Sequence, residues 1–433
     1  MILLEKHIKQ RIYSIRKKES TDGYKYSKLG VIPIDWTIKE IKDIATINPQ
    51  KTLLQNEKMV SFLGMAGVSE NAKVIELETK PYGEVSKGFT SFIDNDILVA
   101  KITPCFENGK GALVKNLING VGFGSTEFHV IRCEKPEDIK FVFYHTTSHR
   151  FRKTGEKNMT GTAGQKRVPA DFIENYLIQY PSNADERAKI AEVLSTWDKA
   201  IELKEKLIEE KKKQKTGLMQ KLLTGKVRLP GFKGEWKEVK LGKVLKDKTE
   251  KTTENDQYQI LSCTKDGIVS QSDHFNKQIA STNNIGYKIL KKGEVVLSPM
   301  NLWLGGIDIS TFDVGIVSPA YKVYEVDYSI IGENYLRNLL RSDYMIAKYD
   351  SISQKGASVV RRNLSIKEFE SLTIKLPTDF NEMNAIDKLI GIASKEIALL
   401  EAELKNLKLQ RKGLMQLLLT GIIRVNTQEN EKR

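Results

Sequence analysis

The sequence predicts an α+β protein built twice. A mixed α/β domain is followed by a long helix, and a second such pair follows the first. The two helices are expected to pack on each other as an antiparallel coiled coil about an internal pseudo-twofold. Three observations lead there. Lys215-Thr-Gly-Leu-Met-Gln-Lys-Leu-Leu-Thr-Gly-Lys-Val-Arg228 recurs as Arg411-Lys-Gly-Leu-Met-Gln-Leu-Leu-Leu-Thr-Gly-Ile-Ile-Arg424, with nine of fourteen positions identical at an offset of 196. An apolar heptad seam precedes each copy. The stretches before those seams alternate short apolar strands with turn residues.

Residues 1–29 carry Ile2, Leu3, Leu4, Ile8, Ile12 and Ile15 among basic residues and read as an N-terminal helical segment. Residues 30–181 form the first mixed domain. Within it, Phe92-Ile-Asp-Asn-Asp is a turn and Ile97-Leu-Val-Ala100 a buried strand, and the polar loop Thr103-Pro-Cys-Phe-Glu-Asn-Gly-Lys-Gly111 follows. Residues 182–228 are the central helix region, with Ile190, Leu194, Trp197, Ile201, Ile208, Leu218 and Leu222 at 4,3 spacing. Lys204, Lys211 and Lys215 interrupt this seam. The segment 199–228 holds ten Lys/Arg against four Glu, either a solvated face or a strip for phosphates or an acidic protein.

Residues 229–377 repeat the mixed domain. Lys291-Lys-Gly-Glu-Val-Val-Leu297 matches the turn and strand of the first copy. The loop Ser298-Pro-Met-Asn-Leu-Trp-Leu-Gly-Gly306 differs from its counterpart, as two related binders with different targets would. Fainter echoes, such as Ser125-Thr-Glu-Phe-His-Val130 with Ser318-Pro-Ala-Tyr-Lys-Val323, have offsets between 193 and 200. Residues 378–424 are the second helix region, with Ile386, Ile390, Ala393, Ile397, Leu400, Leu404, Leu407, Leu414 and Leu418 on one seam broken only by Arg411; residues 425–433 are a tail. Packing is expected along Ile190, Leu194, Ile201 and Leu218 of one helix and Ile390, Ile397, Leu404 and Leu414 of the other. About 35 residues at 1.5 Å each make a rod of roughly 50 Å. Gly225 and Gly421 stand where each helix should stop.

The net charge of +14 favours a polyanionic partner, most simply nucleic acid. Candidate DNA contacts are Lys101, Thr103, Glu107, Asn108 and Lys110 in the first loop, and Asn301 and Trp303 in its counterpart. Thr160-Gly-Thr-Ala-Gly-Gln-Lys-Arg167 and Ser353-Gln-Lys-Gly-Ala-Ser-Val-Val-Arg-Arg362 add Gln165, Lys166, Arg167, Lys355, Arg361 and Arg362. Small residues followed by paired cations suit phosphate contacts through backbone amides and charged side chains.

Catalytic signatures are missing. No GxxxxGK[ST] loop supports ATP hydrolysis, and no Asp/Asn-Pro-Pro-Tyr/Phe motif supports amino-methyl transfer. Asp138-Ile-Lys140 has the nuclease-like Asp-x-Lys form, but that tripeptide is common and lacks an upstream partner. His145 and His149 lack an acidic partner for a metal and read as structural. Cys105, Cys133 and Cys263 are too few and scattered for a disulfide framework, which points to a reducing, cytoplasmic setting. No run approaches the roughly 18 apolar residues of a membrane span.

The chain resembles the specificity subunit of type I restriction-modification enzymes. The duplicated Gly-Leu-Met-Gln-x-Leu-Leu-Thr-Gly (217–225 and 413–421), the helices before it, Ile32-Pro-Ile-Asp-Trp36, Leu229-Pro-Gly-Phe-Lys-Gly-Glu-Trp236 and Asp96-Ile-Leu-Val-Ala-Lys-Ile-Thr-Pro104 carry the likeness. It implies that the two mixed domains are target recognition domains. Each would read half of an asymmetric bipartite DNA site in a phage-defence system. Two adenine-methyltransferase subunits and restriction subunits would dock, bringing S-adenosylmethionine, ATP and Mg; this chain would hold no cofactor and perform no catalysis. Two other readings stand beside it: a helical-repeat adaptor that binds only protein, and a methyltransferase or nuclease with recognition fused in one chain.

Overall fold

The computed structural model describes residues 9, 11–14, 22–162, 164–274, 283–355 and 362–426. The chain divides into two compact units, Met1–Leu203 with Leu404–Arg433, and Lys204–Glu403. The partition does not follow the sequential segments. Each long helix, Ala184–Leu222 and Phe380–Leu419, gives one half to each unit.

In the first unit an antiparallel sheet runs Ala45–Ile47, Phe128–Cys133, Ile97–Ala100, Gly111–Leu113. A mixed sheet beside it runs Glu78–Pro81, Met59–Leu63, Val121–Gly124, Thr90–Ile93. Ile97–Ala100 is buried along its whole length, as a run of four apolar residues requires in a covered sheet. The second unit repeats the antiparallel sheet in the same order: Leu245–Lys248, Lys322–Val326, Val295–Leu297, Ile307–Ile309. The turns before the central strands are capped alike. The Asp96 carboxylate accepts from the Ile93 amide and that of Glu294 from the Lys291 amide, both three residues back. Each domain closes with a pair of strands joining its start to its end, Trp36–Glu40 with Leu177–Pro181 and Trp236–Lys240 with Thr373–Pro377.

The helix seams fall where the heptads place them. Within the first unit, Ile190, Ala191 and Leu194 share a core with Leu414, Met415, Leu418 and Leu419, and Arg411 pairs with Asp198 at 2.9 Å. Within the second, Leu218, Leu222 and Leu223 share a core with Ile386 and Ile390. Rising numbers on one helix meet falling numbers on the other, so the pairing is antiparallel in both units. The structure adds the residue matching that the seams alone leave open. Ile190 and Leu194 pack on Leu414 and its neighbours, because antiparallel pairing sets the start of one helix beside the end of the other. Ile201 and Leu404 are partly buried and Ile397 is buried.

Two of the three interrupting lysines, Lys204 and Lys211, are engaged by carboxylates, as is their neighbour Lys212, whereas, among the described residues, Lys215 is not. Lys204 pairs with Glu403 (2.8 Å), Lys211 with Glu396 (2.6 Å) and Lys212 with Glu401 (2.6 Å). The N-terminal segment also departs from a single helix. Lys9 and Arg11–Ser14 are helical, but Tyr24–Ser27 is a strand paired with Gly30–Pro33. The turn residues between them favour a hairpin over a helix. The Arg11 guanidinium and the Tyr24 hydroxyl both donate to carbonyls just past the second helix, at Ile422 (3.1 Å) and Gly421 (3.0 Å).

Both helices end on a left-handed glycine, Gly225 (φ +68°) and Gly421 (φ +71°). A Cβ there would lie 2.9 Å from the Trp236 ring or 2.5 Å from Pro33, so each helix ends pressed on the opening of a mixed domain.

Candidate nucleic-acid interface

In the first unit, the loop that follows Ile97–Ala100 is zipped to the 160–168 loop by backbone bonds. Val168 N–H donates to Lys101 O (2.8 Å) and Thr103 N–H to Lys166 O (2.9 Å). Five predicted residues, Lys101, Thr103, Gln165, Lys166 and Arg167, are thereby brought together. Arg167 is not a free cation. Its guanidinium straddles Glu127 at 2.8–3.1 Å, and those bonds favour its charged form. Burial lowers the Lys101 pKa, with Glu127 opposing and Arg167 assisting. One carboxylate thus serves two cations, and Lys166 beside them is exposed.

Of the remaining residues in this loop, Glu107 turns inward. It accepts from the Thr103 hydroxyl at 3.3 Å, and its Oε2 is buried without a partner. Asn108 donates to Glu70 (2.9 Å) and Lys110 to Met65 O (3.0 Å). The loop is held from beneath by Arg152, a residue that sequence reading did not single out. Its guanidinium is buried and donates to the carbonyls of Phe106 (3.2 Å) and Gly109 (3.3 Å). Burial brings its pKa down to about 10. Neither Arg152 nor Glu127 carries a local sequence signal; their partners are assembled by the fold.

In the second unit the counterpart loop follows Val295–Leu297 and is closed on itself. Ser298 N–H donates to Gly306 O and Gly306 N–H to Asn301 O. Leu302–Leu304 form a single 3-10 turn that leaves Asn301 exposed and Trp303 half-buried. Arg362 stacks over the Trp303 ring at 4.0 Å and pairs with Asp350. The loop and the hairpin Ser353–Lys355/Arg362–Leu364 therefore meet here too, through a cation–π contact rather than backbone bonds. Lys355 lies on that hairpin opposite Arg362. Arg361 lies outside the described residues. Asn301 and Leu304 border a cavity of about 510 Å³ with Lys265, Gln271, Tyr287 and Tyr321.

His145 is buried edge-to-face against Phe141 at 4.8 Å. Among the described residues, no group of three or more His, Cys, Asp or Glu is placed to hold a metal ion. None of the described helices is long and apolar enough to cross a membrane.

Residues 33–212 match the type I restriction modification DNA specificity domain family. The chain is thus similar to the specificity subunits of type I restriction-modification systems. The EcoEI specificity subunit of Escherichia coli is 40% identical over 178 residues, 41% of this chain and 29% of that protein. The EcoAI specificity subunit of the same species is 43% identical over 154 residues, 35% of this chain and 26% of that protein. This chain thus spans less than a third of the length of either. A putative specificity subunit of Methanocaldococcus jannaschii, MjaX, is 24% identical over 94% of this chain and 98% of that protein. A chain from a solved type I R-M system has the same fold, with a TM-score of 0.62 at 16% identity, covering 90% of this chain and 99% of that one. Both units carry the same antiparallel sheet with different loop chemistry at corresponding edges.

Proposed function

We propose that this chain is the DNA-reading subunit of a type I restriction-modification complex. Residues 30–181 and 229–377 each read one half of an asymmetric, bipartite site. The observation that carries this reading is the repeated pairing of a post-strand loop with a cation-bearing hairpin, on two sheets of identical strand order but with different side chains. Identical readers would suit a palindrome; these suit two unlike half-sites. Lys166 and Arg362 serve phosphates, whereas Asn301 and Asn108 have side chains able to pair with base edges. The Glu127 pair makes Arg167 a positioning residue for the 101–103 loop as much as a contact.

Chemistry would then belong to docked subunits: S-adenosylmethionine with the adenine methyltransferase, ATP and Mg with the restriction subunit. Each unit exposes a leucine at the same repeat position, Leu203 (56% exposed) and Leu399 (58% exposed). Apolar side chains left in water at equivalent places on both helices support two copies of one helical-face partner.

The test is reconstitution with a type I methyltransferase subunit, followed by mapping of methylated adenines. A gapped, asymmetric site is expected. A continuous palindrome would overturn the two-reader assignment. Duplex binding that ignores salt would instead favour the protein-only adaptor. Lys166→Ala should weaken binding to all duplexes and lower the salt slope by about one.

A further inference from the structure

The two units are not equivalent at the corner where the helix pair meets the mixed domain. In the first unit this corner is closed by its own carboxylate. Arg411 Nε donates to Asp198 Oδ1 at 2.9 Å, the Tyr144 hydroxyl donates to Asp198 Oδ2 at 2.9 Å, and the guanidinium lies 5.6 Å from the Tyr144 ring centre. The repeat fixes the matching residues in the second unit. The helix offset of 196 makes Lys215 the counterpart of Arg411 and Ser394 that of Asp198. The helix-capping serines, Ser148 and Ser342, accept from the amides of Phe151 and Met345 and set a local offset of 194. By that offset, Asn338 replaces Tyr144, Arg337 replaces Phe143 and Arg341 replaces Thr147.

The carboxylate is therefore gone and two cations have been added. The corner is an open cleft of about 450 Å³, lined by Lys212, Lys215, Arg337, Asn338, Arg341 and Ser394 among others. Most of its charges are matched. Lys212 pairs with Glu401, Arg337 with Glu333 (3.0 Å), and both arginines share the single carboxylate of Asp308 (3.0 and 3.1 Å). Asp387, whose pKa burial raises to about 6, interacts with the Asn338 side chain. Of the four cations lining the cleft, Lys215 is the one that pairs with no carboxylate among the described residues. Burial and the adjacent Arg341 lower the Lys215 pKa, the signature of a cation held without its counter-charge.

We infer that the cleft of Lys215, Arg337 and Arg341 is an oxyanion site that takes a phosphate group, standing where the first unit carries Asp198. Two guanidiniums on a shared anchor and a lysine match the many acceptors of phosphate better than a single chloride would. The phosphate group has two sources, the DNA backbone and a free phosphorylated molecule, and the experiment separates them.

Thermal unfolding of the full chain is followed in inorganic pyrophosphate and in chloride of equal ionic strength. Wild type should show a saturable rise in Tm on the order of a few °C. Lys215→Met should lose that rise. It should fold normally in chloride, since it removes an unmatched, half-buried charge. Ser394→Asp, which installs the carboxylate of the first unit, should lose the rise as well. No rise in wild type, or an equal rise in Lys215→Met, would overturn the assignment. The slope of log affinity against log salt for duplex DNA then identifies the source. A slope lowered by about one in Lys215→Met places a DNA phosphate in the cleft, and an unchanged slope assigns it to a free phosphorylated ligand.

Discussion

Glu382 is fully buried at the start of the second helix, and Arg228 matches its charge through bonds of 2.6 and 2.7 Å. In the other unit, Glu186 is buried and held by Arg424, with Trp36 Nε1 donating as well at 3.1 Å. A buried carboxylate stripped of its partner retains the full desolvation cost. Arg228→Ala should destabilise the second unit toward the lower end of about 3–5 kcal/mol, because Arg228 is itself partly exposed. Denaturant unfolding measures this, and adding Glu382→Gln should recover part of the loss. His145 gives a pH-dependent expectation. Burial, assisted by Arg150, brings its pKa down to about 3. The unfolded imidazole titrates near 6.5, so the unfolded state binds the extra proton between those values. His145 therefore costs stability progressively as pH falls below about 6.5, and His145→Leu should flatten the decline in Tm between pH 7 and 5. A decline of unchanged steepness would refute it. Arg228 and Arg424 are legible as the last residues of the duplicated motif. Their carboxylate partners lie 154 and 238 residues away and carry no local signal.

The helices were the most legible elements, because a 3.5-residue apolar period reports directly on a buried stripe. Every predicted position from Ile386 to Leu418 on that stripe is buried or half-buried. What the period cannot report is which residue on the other helix each one meets. Antiparallel register depends on pairs such as Asp198 with Arg411 and Lys204 with Glu403. The contrast between seam and outer face is measurable. Leu194, completely buried, should cost about 2–5 kcal/mol when changed to Ala. Leu399→Ala should stay within about 0.5 kcal/mol in the isolated chain. Equal effects would mean that the outer face is covered in the free protein. The recognition loops were legible as positions but not as contacts. Glu107 and Arg167 have the composition of base and phosphate ligands, yet one turns inward and the other is occupied by Glu127. Loop charge alone does not reveal such internal pairing.

At the scale of the molecule, the duplication was plain in the sequence, but the division into units was not. Each unit unites a mixed domain with the first half of one helix and the last half of the other. Antiparallel pairing brings those distant stretches together. If the two units are the proposed readers, the helices shared between them are the candidate ruler for the DNA target. Inserting one heptad after Leu203 alone would shift every ion pair beyond it, from Lys204–Glu403 to Lys211–Glu396, and should destabilise the protein. Inserting a heptad after Leu203 and another after Glu403 restores the register and keeps both seams in phase. Seven residues add about 10.5 Å, equivalent to about three base pairs of duplex. Methylation mapping should return both original half-sites with the gap between them about three base pairs longer. Replacing residues 30–181 with the corresponding domain of another specificity subunit should change one half-site and leave the gap intact. A matched insertion that altered either half-site, or left the gap unchanged, would show that the helices do not set the spacing.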